Sequence, residues 1–132
     1  MSKFIEIVKS ALDEHKLNYY SYDSDSDEVV RLNINGANMA IGADNSFVRI
    51  QCNLSLSFND EDMLQQAYQL VNQWNMENIV KYYMDSDGDL VMEWNIDVNG
   101  DSFNEAIFMA GFSRIFTALH ESKEPMLKLR YS

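Results

Sequence analysis

The sequence predicts an α+β fold in which an antiparallel sheet packs against helices. Residues 47–58 alternate strictly between apolar and polar side chains, as a strand with one covered face does. The pairs Asn35-Gly36 and Asp87-Gly88 lie between such segments and are typical of tight hairpin turns. Three other segments place apolar residues at the three-to-four spacing of helices. The expected order of elements is α-β-β-β-α-β-β-α.

The first two helices have recognisable ends. Ser2 is a suitable cap for a helix over residues 3–17. Asn59 is a suitable cap for the second helix, whose acidic first turn favours the positive end of the helix dipole. Asn75 or Asn78 is expected to end that helix.

The strands follow from alternation and turn residues. A short aromatic segment at 18–22 precedes an acidic turn at 23–28, and alternating segments follow at 30–34, 38–41 and 47–58. A second hairpin joins 79–84 to 90–98. The pattern places Cys52 and Trp94 on the core face of the sheet, Cys52 as a small buried apolar residue.

The last helix is apolar on every side. Ser102 and Glu105 form a capping box, and the helix is expected to run to about Leu119, with the segment after Pro125 lying along a sheet edge. A helix that is apolar all round must be covered all round. We therefore expect a homodimer or partner interface on this helix, with Gly111 allowing another backbone to approach. Its residues would be Phe108, Met109, Phe112 and Phe116. The alternative is that these side chains fill the core of one subunit.

Length and composition indicate one domain spanning residues 1–132, with no linker and no segment apolar enough to span a membrane. The single cysteine and the absence of a signal-peptide pattern at the N-terminus predict a cytoplasmic location. The net charge is −11, and residues 60–105 contain eleven acidic residues against one basic residue. Such a charge repels phosphate backbones, which argues against nucleic-acid binding.

The sequence predicts no metal, no cofactor and no catalytic site. Asp85, Asp87 and Asp89 resemble the start of a calcium loop, but that loop needs Gly at its sixth position and Glu at its twelfth. Leu90 and Ile96 occupy those positions. The sequence also has no nucleophile elbow, phosphate loop, dinucleotide fingerprint or His/Cys cluster, which favours a protein that is not an enzyme.

Four short motifs carry a resemblance to a known family: Asn72-Gln-Trp74-Asn75, Lys81-Tyr82-Tyr83, Asp87-Gly88-Asp89-Leu90 and Gly100-Asp-Ser102-Phe103. Together with the order of elements, they resemble the YbjN family, whose members are described as bacterial sensory transduction regulators and have the type III secretion chaperone-like fold. The resemblance implies protein binding or regulation, often by a homodimer, and gives no mechanism.

Two functions remain open at the level of the sequence. The first is a chaperone-like or regulatory protein that holds a partner on its apolar helix, a sheet edge or the wetter sheet face. The second is an acidic mimic that occupies a basic site on a nucleic-acid-binding protein. Salt separates them, because ions screen exposed charges beyond about 8 Å and leave apolar contacts intact.

Overall fold

The computed structural model describes residues 3–23, 28–44, 46–98 and 103–131. In chain order their elements are α1 (Lys3–Glu14), β1 (Tyr20–Asp23), β2 (Glu28–Ile34), β3 (Ala37–Ala43), β4 (Phe47–Leu54), α2 (Glu61–Glu77), β5 (Lys81–Met84), β6 (Leu90–Asp97) and α3 (Glu105–Arg130). All strands join one antiparallel sheet in the order β1-β2-β3-β4-β6-β5. The predicted fold class is confirmed. The sheet has one strand more than the expected order because residues 20–23 pair with β2.

The core lies between the sheet and the helices. α1 packs against β2 and β3, α3 packs against β4 and β6, and α2 packs against β5. The inward side chains of the central strands are buried, as the alternation predicts, and Cys52 is among them. Trp94 faces the same side but is only half-buried. The fully buried strand residues include Val30, Ile41, Val48, Ile50, Leu90 and Met92.

Both predicted hairpin turns are present. Asn35 and Gly36 have φ values of 52° and 83°, which such a turn requires at both positions. Gly88 has a φ of 78° and touches the segment after β4, because a Cβ atom there would lie 2.1 Å from the carbonyl oxygen of Phe58. The backbone N–H of Phe58 donates to the carbonyl oxygen of Gly88 at 2.9 Å. The tip of the second hairpin is therefore fixed to that segment.

The ends of α1 and α2 differ from the expectation by a few residues. α1 ends at Glu14, and the left-handed residue after it is Lys16, with a φ of 58°. The cap of α2 is Asp60 rather than Asn59, since the Asp60 carboxylate accepts hydrogen bonds from the N–H groups of Asp62 and Met63. Asn78 ends α2, which confirms one of the two predicted ends.

α3 is longer than predicted. Asn104 caps it by accepting a hydrogen bond from the N–H of Ile107 at 2.9 Å, whereas the expected cap, Ser102, lies outside the described residues. The helix continues through Pro125 to Arg130, so there is no edge segment after the proline. Tertiary contacts outweigh the helix-breaking tendency of proline here. Met126 is fully buried, and the Arg130 Nε donates to the carbonyl oxygen of Leu56 at 2.7 Å.

Candidate partner-binding surface

One face of the sheet has no helix packed on it within the described chain, because α1, α2 and α3 all pack on the other face. We call this surface the open sheet face. It carries three basic and two acidic side chains, although the chain as a whole has a net charge of −11. Its residues include Tyr20, Val29, Arg31, Asn33, Asn38, Ala40, Gly42, Phe47, Arg49, Gln51, Asn53, Lys81, Tyr83, Val91, Glu93, Asn95 and Asp97.

A hydrogen-bond network crosses this face between β4 and β6. The Arg49 Nε donates to the Asn95 Oδ1 at 3.1 Å, and the Asn95 Nδ2 donates to the Glu93 Oε2 at 3.2 Å. The other carboxylate oxygen of Glu93 accepts from the Gln51 Nε2 at 2.7 Å. The register of the two strands causes this, since Arg49 lies opposite Asn95 and Gln51 opposite Glu93. The network fixes polar side chains on a surface that water reaches.

The network keeps Glu93 ionised. Partial burial opposes its ionisation, but hydrogen bonds from Gln51 and Asn95 and the charges of Arg49 and Lys81 outweigh that effect and lower the pKa of Glu93. Tyr83 beside it shows the opposite trend, because burial and the Glu93 charge raise its pKa. The Lys81 ammonium lies over the Tyr83 ring, 5.5 Å from the centroid. The face therefore presents fixed charges of both signs at neutral pH.

A shallow depression of about 290 Å³ follows β3 on the open sheet face, and we call it the β3 trough. Its floor is formed by Ala40 and Gly42, whose side chains are small or absent. Arg31 of β2 lies beside Ala40, and Arg49 of β4 lies beside Gly42. The other residues that line it are Val29, Ala43, Asp44, Phe47 and Gln51.

One charged group, Asp44, lies at the Gly42 end of the β3 trough. The Asp44 Oδ1 accepts hydrogen bonds from the N–H groups of Ser46 and Phe47 at 2.7 and 2.8 Å. These two hydrogen bonds, aided by the Arg49 charge and opposed by desolvation, lower the pKa of Asp44. Asp44 is therefore a fixed negative charge at that end.

The outer edge of β5 is closed by a side chain of α2. The Asn75 Nδ2 donates to the carbonyl oxygen of Tyr82 at 2.9 Å, and the Asn75 Oδ1 accepts from the Tyr82 N–H at 2.8 Å. The amide thus takes the place of a neighbouring strand at this position. An exposed strand edge is a template for unwanted pairing. Because Asn75 already binds the backbone of Tyr82, another strand cannot pair with β5 at that residue. The open sheet face remains accessible at this end of the sheet.

The four residues predicted for an interface on α3 differ in how deeply they are buried. Phe108 and Phe112 lie in the core with 0% and 5% of their surfaces exposed, so they contact the sheet side of their own subunit. Met109 is partly buried, and Phe116 is 39% exposed. A Cβ atom on Gly111 would lie 2.9 Å from atoms of Trp94 and Ile96, so the close approach at this glycine is to β6.

The Asp85–Asp89 loop acts as a structural connector. Carboxylate oxygens of Asp85, Asp87 and Asp89 lie within 4.8 Å of one another. The Asp85 Oδ1 accepts from the N–H groups of Asp87 and Asp89, and the Asp89 Oδ1 accepts from two N–H groups of the segment after β4, both at 2.8 Å. These contacts give the carboxylates of Asp85 and Asp89 a structural role in the loop.

Side chains that could perform chemistry are dispersed in the described part of the chain. Both histidines, His15 and His120, are exposed and belong to different helices or helix ends. Burial raises the pKa of the Cys52 thiol to about 12, which leaves it protonated and unreactive at neutral pH. Among the described helices, none combines the length and the apolar character needed to cross a membrane.

The sequence does not show which polar residues of the open sheet face contact one another. The alternation at 47–58 and 90–98 predicted a wetter face, which the structure has. Arg49 and Asn95 were not singled out, because they are 46 positions apart and meet only through the pairing of β4 with β6. The pairing between strands was the missing information.

Solved structures with the same architecture identify the class of protein. An uncharacterized protein from Methanothermobacter thermautotrophicus has a TM-score of 0.68 at 13% identity, covering 95% of this chain and 97% of that chain. A chain of the heterodimeric complex ExoU-SpcU from the type III secretion system of Pseudomonas aeruginosa has a TM-score of 0.56 at 18% identity. The match covers 92% of this chain and 96% of that chain. The fold is thus of the type III secretion chaperone-like class.

The family follows from a match along most of the chain. Residues 5–115 match the model of the YbjN family, described as "Putative bacterial sensory transduction regulator", and the chain belongs to this family. The YbjN structure from E. coli has a TM-score of 0.60 at 16% identity, covering 83% of this chain and 80% of that chain. No curated protein matches the sequence. The family description names a regulator and no class of enzyme.

Proposed function

We propose that this protein is a non-enzymatic, chaperone-like binding module that holds a segment of a partner protein on its open sheet face. The observation that carries the proposal is the one-sided packing of the sheet, with every helix on the opposite face of the described structure. The exposed surface is nearly balanced in charge and its polar groups are held in a network. Protein interfaces of the non-obligate kind are about as polar as the rest of the surface and are enriched in arginine and tyrosine, both of which this face carries.

The comparisons support a protein partner. The similar structure from Pseudomonas aeruginosa is a heterodimeric complex, and the family is described as a regulator. The cytoplasm is the proposed location, supported by a single cysteine that is buried as a thiol. We expect neither nucleic acid nor membrane as a partner, since the net charge of −11 repels both phosphate backbones and anionic lipid surfaces.

The test is site-specific photo-crosslinking in cells that express the protein. A benzophenone amino acid replaces Asn33 or Asn53 on the open sheet face, and Gln69 on the exposed side of α2 as the matched control. All three are polar residues that face solvent at least in part. The proposal expects the same partner to be captured from both open-face positions and not from Gln69. Equal capture from all three positions, or capture from Gln69 alone, would contradict it.

The acidic-mimic function is the second candidate, and one observation keeps it open. The acidic first turn of α2 and the acidic hairpin tip are both attached to the segment after β4, which gathers negative charge at one end of the molecule. A benzophenone at Asp87, which is exposed, tests it. Capture from Asp87 that disappears at about 0.5 M salt would favour the mimic, because screening lengths at such ionic strength fall to a few ångströms.

Homodimer formation remains part of the proposal, with Met109 and Phe116 as its candidate contacts on α3. The expectation that α3 leaves a large apolar face uncovered is weakened by the burial of eight of its residues within one subunit. Light scattering of the purified protein at about 100 μM gives the mass. A dimer that Phe116→Asp converts to a monomer would support an α3 interface, and a wild-type monomer would rule it out.

A further inference from the structure

Gly42 has no role inside its own subunit. A Cβ atom added at Gly42 would meet no atom within 4 Å, and its φ lies outside the left-handed region that requires glycine. Gly88, by contrast, has a φ of 78°, and a Cβ atom there would lie 2.1 Å from the carbonyl oxygen of Phe58. A glycine within a strand is destabilising relative to alanine. Such a residue often marks a place where a ligand or a second backbone approaches closely.

The surroundings of Gly42 match an extended polypeptide in size. The walls of the β3 trough come from β2 and β4, the two neighbours of β3. Because adjacent strands are about 4.8 Å apart, the walls are roughly 10 Å apart, which is the width of one extended chain with its side chains. Ala40 and Gly42 occupy two successive outward positions of β3. Because their side chains are small or absent, the floor of the trough lies below its walls at both positions.

The chemistry of the walls favours a carboxylate. The Arg49 guanidinium is held by a neutral amide through its Nε, and none of the ion pairs in the described residues includes it. Its terminal amino groups form the fork that binds a carboxylate in two hydrogen bonds. Arg31 adds a second guanidinium on the opposite wall.

We propose that the β3 trough binds an extended segment of the partner protein through an acidic side chain placed between Arg31 and Arg49. The fixed negative charge of Asp44 directs that acidic side chain to the Ala40 end. Val29 and Phe47 lie toward the Gly42 end, so an apolar residue of the segment belongs there, two positions from the acidic one. This inference rests on the proposed function, because it names the chemistry of the partner on the open sheet face.

The test uses a display library of random 12-residue peptides as the probe, selected against the full-length protein. Enriched peptides are expected to contain Asp or Glu two positions from an apolar residue. Binding of a synthetic enriched peptide is then measured by calorimetry with Gly42→Val, which fills the trough, and Arg49→Gln. Gln69→Val is the control, because Gln69 is an exposed residue of α2 and lies off the open sheet face.

We expect Gly42→Val and Arg49→Gln each to weaken binding about 10-fold or more, the usual loss for a charge-assisted hydrogen bond or a blocked contact. Gln69→Val should stay within about 2-fold of wild type. Gly42→Val should keep or raise its melting temperature, since its side chain enters open space and the strand loses a destabilising glycine. If it does not fold, Arg49→Gln and the acidic-to-amide change in the peptide decide the question.

Three results would overturn the inference: enriched peptides without an excess of acidic residues, peptide binding that Gly42→Val and Arg49→Gln leave unchanged, or occupation of the trough by a second copy. The last would appear as a dimer that Gly42→Val makes monomeric. These failures are separate from that of the proposed function, which fails if the photo-crosslinks from Asn33 and Asn53 do not appear.

Discussion

Replacing Asn75 tests how the outer edge of β5 is closed. Its side chain makes two hydrogen bonds to the backbone of Tyr82, at 2.8 and 2.9 Å, and is otherwise exposed, so Asn75→Ala removes those bonds without leaving a cavity. Each bond contributes about 0.5–1.5 kcal/mol to the free energy of unfolding, and a part-buried backbone group left unpaired costs about 1–3 kcal/mol. Because water can reach the edge, we expect a total loss of about 2 kcal/mol.

Asn72→Ala is the matched control, because Asn72 is an exposed asparagine on the same helix. Both changes gain the same helix propensity on going to alanine, so that contribution cancels in the comparison. Urea denaturation followed by circular dichroism should place Asn75→Ala about 2 kcal/mol below Asn72→Ala at an unchanged slope, with a melting temperature lower by about 6–10 °C. A difference below about 0.5 kcal/mol would show that the amide does not hold the edge.

Other predictions follow from turns and buried groups. Gly88→Ala should lower the free energy of unfolding, measured by urea denaturation, by about 3 kcal/mol or more. The alanine side chain would be strained at a φ of 78° and would clash with the Phe58 carbonyl group. A loss below about 1 kcal/mol would contradict this. The Cys52 thiol, whose pKa burial raises to about 12, should react with a thiol reagent at pH 8 only as the protein unfolds; rapid labelling of the native state would show that it is accessible. Calcium at micromolar levels should leave the melting temperature unchanged, since backbone N–H groups already occupy carboxylate oxygens of the Asp85–Asp89 loop; a rise of several degrees would mean tight binding.

Local signals made most of the fold predictable from the sequence. Asn35-Gly36 and the alternation at 47–58 depend only on neighbouring residues. The turn is present as expected, and burial alternates as far as Phe58, although the strand itself ends at Leu54. The length of α3 was wrong because Pro125 is a local stop signal, whereas the contacts that overrule it come from residues far along the chain. Arg130 contacts Leu56, 74 positions away.

The site was harder to predict because it depends on which face each side chain takes. An all-round apolar helix cannot reveal that Phe112 is buried while Phe116 is partly exposed, since the difference depends on which side of α3 faces the rest of the subunit. Likewise, the polar face of β4 is evident from alternation. The low floor at Ala40 and Gly42, with Arg31 beside the first and Arg49 beside the second, requires the pairing of three strands.

The position of α3 has a consequence for biosynthesis. This helix is the last element of the chain, yet it packs against α1, α2, β4 and β6. A ribosome makes the sheet first, at about 5–20 residues per second, so the inner faces of β4 and β6 remain without their cover until residues 105–130 have been made. The nascent chain therefore exposes an apolar surface for several seconds. We expect the domain to complete its folding only after residues 105–130 have left the ribosome, and the chain to depend during that interval on the cell's general folding machinery.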